Sequence, residues 1–171
     1  LPWSEALIER YKDKWEWGGL GLIDNEALPW SEALIEQYYK NEWHWYHTGE
    51  NTSLPWSEAL IERYKDQWKW DSLSKNKSIP WSESLIERYK DQWEWDELSE
   101  NKSIPWSESL IERYKDKWKW GSWRGLSNNT SLPWSEALIE RYKDKWVWDG
   151  TFGLSRNKAL PWSESLIERF A

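Results

Sequence analysis

His44 and His47 stand three residues apart in WHWYHTG, an H-x-x-H pair in an expected loop that could contribute to a metal site. A coordination shell needs further ligands, and the chain has 2 His and 0 Cys. The pair is therefore expected to be incidental, with no metal and no cofactor implied. Glu5, Glu9 and Asp13 offer carboxylates, and Glu5 and Glu9 align on one helix face as an acid and base pair would. They lie beside Arg10 and Lys12 and recur along the chain, so a solvated charged face is expected instead. No Gly-rich phosphate loop, nucleophile elbow or HExxH pattern occurs. These features predict a protein that is not an enzyme.

Two other residue sets could carry recognition. Asn51, Asn76, Asn101, Asn128 and Asn129 each open an Asn-X-Ser/Thr acceptor pattern, although a turn role explains most of them without glycosylation. The 20 Trp of the 171 residues could stack on a sugar or peptide. At helical spacing, packing in a core is the expected use of the regular ones. Trp123 and Phe152 differ, because they fall outside the regular register in Gly-flanked stretches, and Tyr46 joins them as a third candidate contact residue.

The elements that must position these groups follow from a repeat. The segment [LI]-P-W-S-E-[AS]-L-I-E recurs with Pro at 2, 29, 55, 80, 105, 133 and 161, which predicts a single array over 1–171. Its units are 1–27, 28–53, 54–78, 79–103, 104–131 and 132–159, with a terminal partial unit at 160–171. In 55–70, PWSEALIERYKDQWKW, the residues Trp56, Leu60, Tyr64 and Trp68 recur at every fourth position, and Ile61 joins them. This predicts an amphipathic helix running roughly from Pro to Tyr, with Pro55 at its first position. Trp70 would face away from that seam, so a break near Asp66 to Trp68 is expected. A short second helix through Trp70 and Leu73, or a brief strand through W-x-W, would follow. Asn stands four residues before Pro at 25, 51, 76, 101, 129 and 157. That fixed place suits a left-handed cap or turn, with a buried Asn ladder between neighbouring units as the alternative. Extra residues fall mainly after W-x-W, as GGLG, GSWRG and DGTFG, and are read as loops on one face.

The motif W-x-W-x-x-L-S-x-N-x-x-[LI]-P-W-S-x-x-L-I-x-x-Y resembles the Trp-rich short tandem repeats of uncharacterised bacterial proteins and, more distantly, repeats in giant-virus proteins. The resemblance covers essentially the whole chain and implies no activity, cofactor or site residue.

A unit of this length cannot bury its own seam, so stacking is required. The expected fold is an all-α solenoid of about 25-residue repeats, each a short amphipathic helix plus a short second helix or turn. The alternative is an α/β solenoid like leucine-rich repeats. With a net charge of −7 there is no basic stripe for nucleic acid, and no apolar run is long enough for membrane insertion. The chain begins at Leu1, which suggests a processed or excised piece. The expected function is a scaffold for a protein or peptide partner. The alternatives are a structural protein that associates with itself head to tail and, more weakly, glycan binding through exposed aromatics.

Overall fold

The computed structural model describes residues 2–17, 21–38 and 42–170, apart from the side chains of 42–44, 46 and 170. The regular structure among these residues is helical: α1 (Glu5–Arg10), α2 (Glu32–Tyr38), α3 (Glu42–Glu50), α4 (Glu58–Arg63), α5 (Trp70–Lys75), α6 (Glu83–Arg88), α7 (Trp95–Glu100), α8 (Glu108–Arg113), α9 (Glu136–Arg141) and α10 (Glu164–Phe170). Single 3₁₀ turns occur at Lys12–Lys14, Leu22–Asp24, Leu126–Asn128 and Leu154–Arg156. The all-α reading holds, and W-x-W forms no strand among the described residues. Two compact units are present, Leu1–Trp81 with Leu85–Trp93, and Ser82–Ser84 with Glu94–Ala171. Within each, repeats stack one on the next as a solenoid does.

The main helix starts later than the sequence suggests. Pro55 lies outside α4, where the Trp56 N–H donates to the Leu54 carbonyl at 2.7 Å. This is the hydrogen bond of a γ-turn, and the fixed φ of proline suits its centre. Ser57 is the cap instead, its Oγ accepting from the Leu60 N–H at 3.0 Å. The same serine bond recurs before α1, α2, α8, α9 and α10. A serine in this place is worth about 1 kcal/mol over alanine.

The helix also ends earlier, at Arg63, because a Trp folds back on it. Trp68 donates its indole N–H to the Ile61 carbonyl at 3.2 Å, satisfying a last-turn acceptor that the helix leaves open. Trp146 does the same to Ile139 at 3.1 Å. The chain between, Tyr64 to Trp68, is tightened by a Gln67 N–H to Tyr64 carbonyl bond of 2.8 Å. A second helix then follows in the uninserted repeats, as α5 and α7. Where Gly-rich residues are inserted, only a 3₁₀ turn remains.

The second Trp of the pairs ending at Trp17, Trp45, Trp70, Trp95 and Trp120 finds its partner in the following repeat. Trp70 packs on Tyr89 at 4.9 Å and edge-on to Trp93 at 4.7 Å, and Trp120 meets Tyr142 and Trp146 at 4.8 and 4.7 Å. The first Trp of the pair is thus a hub. Trp146 touches Trp134 and Tyr142 of its own repeat as well as Trp120 of the one before. Such offset and edge-to-face pairs contribute about 0.5–1.5 kcal/mol each beyond burial. Ile8, Ile35, Ile61, Ile86, Ile111 and Ile139, at one repeat position, are fully buried.

Asn is both cap and ladder: it stands at the C-cap and closes a turn through its Oδ1, but in an extended and not a left-handed conformation. Asn76 and Asn129 are extended, at φ −68° and −80°, and buried. Each has three connections. Asn129 Nδ2 donates to the Ser99 carbonyl at 2.9 Å, its Oδ1 accepts the Ser131 N–H at 2.9 Å, and its carbonyl accepts the Trp134 indole at 3.0 Å. Asn51, Asn76 and Asn157 likewise donate into the preceding repeat, to Ile23, Gly49 and Ser127. The ladder closes those amides to glycosylation in the folded chain; only Asn128, of the acceptor positions, is exposed.

Candidate functional site

Among the described residues no group of three or more His, Cys, Asp or Glu side chains is gathered as a metal site would need. His47 Nδ1 lies 3.6 Å from Asp24 Oδ1, and burial raises the Asp24 carboxyl above the usual range. The side chains of His44 and Tyr46 lie outside the described residues. The carboxylates of the main helices serve as inter-repeat contacts. Glu9 receives Lys12 at 2.7 Å, Tyr38 at 2.5 Å and Gln37 at 2.7 Å, and hydrogen bonds from the first two hold it down to about 2. Arg141 reaches Glu108 of the preceding repeat at 3.0 Å, and Arg63 reaches Glu32 at 2.8 Å. These groups remain about half exposed, so solvent screens each pair and it contributes little.

Tyr89 and Tyr142 donate to Glu62 and Glu112 of the preceding repeat. Burial first, and then the bond to the carboxylate, pushes each phenol up to about 12. A phenol ionises near 10 in an unfolded chain. The fold thus favours the protonated form, and its contribution is complete below about pH 10 and lost as pH rises towards 12. Denaturant titrations at pH 9, 10.5 and 12 should show stability falling across this window, with Tyr142→Phe reducing the slope; an unchanged slope would remove this linkage.

The irregular feature is the loop face of the second unit. In the uninserted repeat of α7, the Leu98 N–H donates to the carbonyl of Glu94, the middle residue of its W-x-W pair, at 3.0 Å, and Ser99 Oγ donates to the Trp95 carbonyl at 2.7 Å. The inserted repeats keep these acceptors. Leu126 donates to Lys119 and Leu154 to Val147, both at 2.8 Å, and Ser127 Oγ donates to the Trp120 carbonyl at 2.7 Å. Residues 121–125 and 149–153 are therefore excursions spliced into one constant closure. Closure is tight: a Cβ on Gly153 would come within 2.5 Å of the Asp149 carbonyl oxygen. The second loop residue has positive φ in both, Gly150 at 85° and Ser122 at 120°. For serine this is strained by about 1–3 kcal/mol, immediately before Trp123.

Trp123 is 53% exposed, with one ring face covered by a cation. The Arg124 guanidinium lies 4.0 Å from the ring centroid, and the same guanidinium is ion-paired with the buried Glu97 of α7. Phe152 and Val147 are also exposed, and Val147 sits against the neighbouring loop, where a Cβ on Gly121 would meet its Cγ2 at 2.2 Å. The two out-of-register aromatics are thus both exposed. Glu97, Arg124 and Val147 complete the arrangement and were not singled out from the sequence. Their signal is departure from the repeat: Glu97 stands where α5 has Ser72, and Val147 where the other W-x-W pairs have a charged residue or His.

The chain was compared with protein-family models, curated proteins and solved structures, and it matches none. What stands is the periodic pattern of Trp and Tyr clusters on short helices.

Proposed function

We propose that the chain is a non-enzymatic repeat scaffold that holds a protein or peptide partner against the loop face of Trp123, Val147 and Phe152. The observation that carries this reading is the clamped indole. An exposed Trp fixed by an anchored guanidinium presents its area with little rotamer entropy left to lose, and Trp and Arg dominate interface hot spots. Glycan stacking is less well supported, since Arg124 already covers one indole face. The resemblance to Trp-rich tandem repeats fits a scaffold and adds no activity.

The test compares the wild type with Trp123→Ala/Phe152→Ala as bait for bound protein. Loss of a partner is expected, with unfolding free energy within about 0.5 kcal/mol of the wild type, as for surface changes. Retention of the same partners by the double variant would overturn the assignment of this face.

A further inference from the structure

In the second unit the chain's own lysines lie over the second Trp of W-x-W pairs. Lys145 Nζ is 5.5 Å from the Trp120 ring centroid and 3.4 Å from Asp116 Oδ1, so one ammonium meets an indole and a carboxylate together. Lys117 Nζ lies 5.2 Å from the Trp95 ring. The repeat position of Lys117 and Lys145 is taken in the first unit by Gln92. There a groove of about 420 Å³ is lined by Lys65, Asp66, Trp68, Trp70, Tyr89 and Gln92. Trp70 in this groove has the same two partners that Trp120 has, a Tyr and a Trp of the next repeat, at closely similar distances. Asp66 corresponds to Asp116 and has no ion-pair partner among the described residues, while Lys65 is engaged with Glu62 at 2.8 Å.

We infer that this groove takes a lysine side chain of a protein partner, its ammonium on the Trp70 face and against Asp66, in the place that Lys145 fills for Trp120. The template is internal to the chain. Replacing Lys by Gln keeps a side chain of comparable reach and removes the charge, which leaves an indole face and a carboxylate facing one space. An ammonium is attracted to both, by the ring quadrupole and by the charge. The overall charge of −7 favours a basic segment as the source. The inference shares with the loop-face reading the premise that the chain binds protein, and uses none of the same residues.

The probe is N-acetyl-lysine methylamide, followed through the Trp70 indole N–H in two-dimensional NMR of the full chain, with the norleucine analogue as the neutral control. Saturable movement of the Trp70 signal with the lysine compound alone is expected. Asp66→Asn and Gln92→Lys should each weaken it by about tenfold or more, the second by filling the groove from within. Lys145→Gln should create a second responding indole, Trp120. No movement of Trp70, equal movement with norleucine, or an undiminished response in Gln92→Lys would overturn the inference. Trp123→Ala/Phe152→Ala should leave this response intact, so the two binding assignments fail separately.

Discussion

Trp146→Ala is expected to lower the unfolding free energy by about 4–5 kcal/mol, the upper range for truncating a buried aromatic. Trp146 is only 4% exposed, touches Trp120, Trp134 and Tyr142, and donates its indole N–H to the Ile139 carbonyl. The substitution therefore opens a cavity, removes three ring contacts and strips an acceptor from the end of α9 at once. Domains of this size have about 5–15 kcal/mol in total, so most of the margin would disappear. Because repeats contact chiefly their neighbours, the damage should be local first. Hydrogen exchange is expected to quicken around Trp120 to Trp146 before other parts of the second unit. Trp123→Ala supplies the contrast, at under about 0.5 kcal/mol. A cost below about 1 kcal/mol for Trp146→Ala in urea unfolding would refute its place as a hub.

The second large effect concerns the ladder. Asn129→Asp is nearly isosteric and keeps the acceptor for the Ser131 N–H, yet it sets a carboxylate oxygen against the Ser99 carbonyl, where the amide had donated at 2.9 Å. With the site only 2% exposed, the expected cost is about 3–5 kcal/mol at neutral pH, as for an uncompensated buried charge. The new carboxyl would have its pKa raised by burial. A raised acid is destabilising once pH exceeds the unfolded value of about 3.9, and the penalty fades below it, where the protonated acid donates to Ser99. Unfolding curves for variant and wild type between pH 3 and 8 should converge towards acid; parallel curves would show that charge is not the cause. Asn129→Ala should cost about 1–3 kcal/mol without that pH dependence, since the buried Ser99 carbonyl loses its partner and the part-buried Ser131 N–H loses its acceptor.

The differences in the consequences of these Trp and Asn substitutions mark how far the chain can be read without its tertiary structure. Recurrence of P-W-S-E-x-L-I-E identifies the units, and the spacing of Leu60 and Ile61 identifies the helix that buries them. The break after it was also legible, because Trp70 cannot share a helical face with Trp68. Ser57 as the cap could have been read from the residue type and was obscured by Pro55, which is equally at home at a helix start. For the candidate site, Trp123 and Phe152 stood out by violating the register. The anchor that makes Trp123 rigid did not, since Glu97 is separated from Arg124 by more than one repeat length and neither residue signals the other.

The sequence by itself determined the repeat, favoured an all-α array over an α/β one, placed a break near Asp66 to Trp68, and set Trp123 and Phe152 outside the register. Only the tertiary structure decided that the second Trp packs on the Tyr of the following repeat, that Asn donates backwards into the preceding one, and that Gln92 lines a groove beside Trp70 whereas Lys117 and Lys145 lie over Trp95 and Trp120. The reason is the range of the forces involved. Capping, turn and periodicity preferences act over a few residues and leave a trace in local order. The ring contacts and the ladder join residues some 19 to 30 positions apart, and one short helix is compatible with many such partners until stacking selects one.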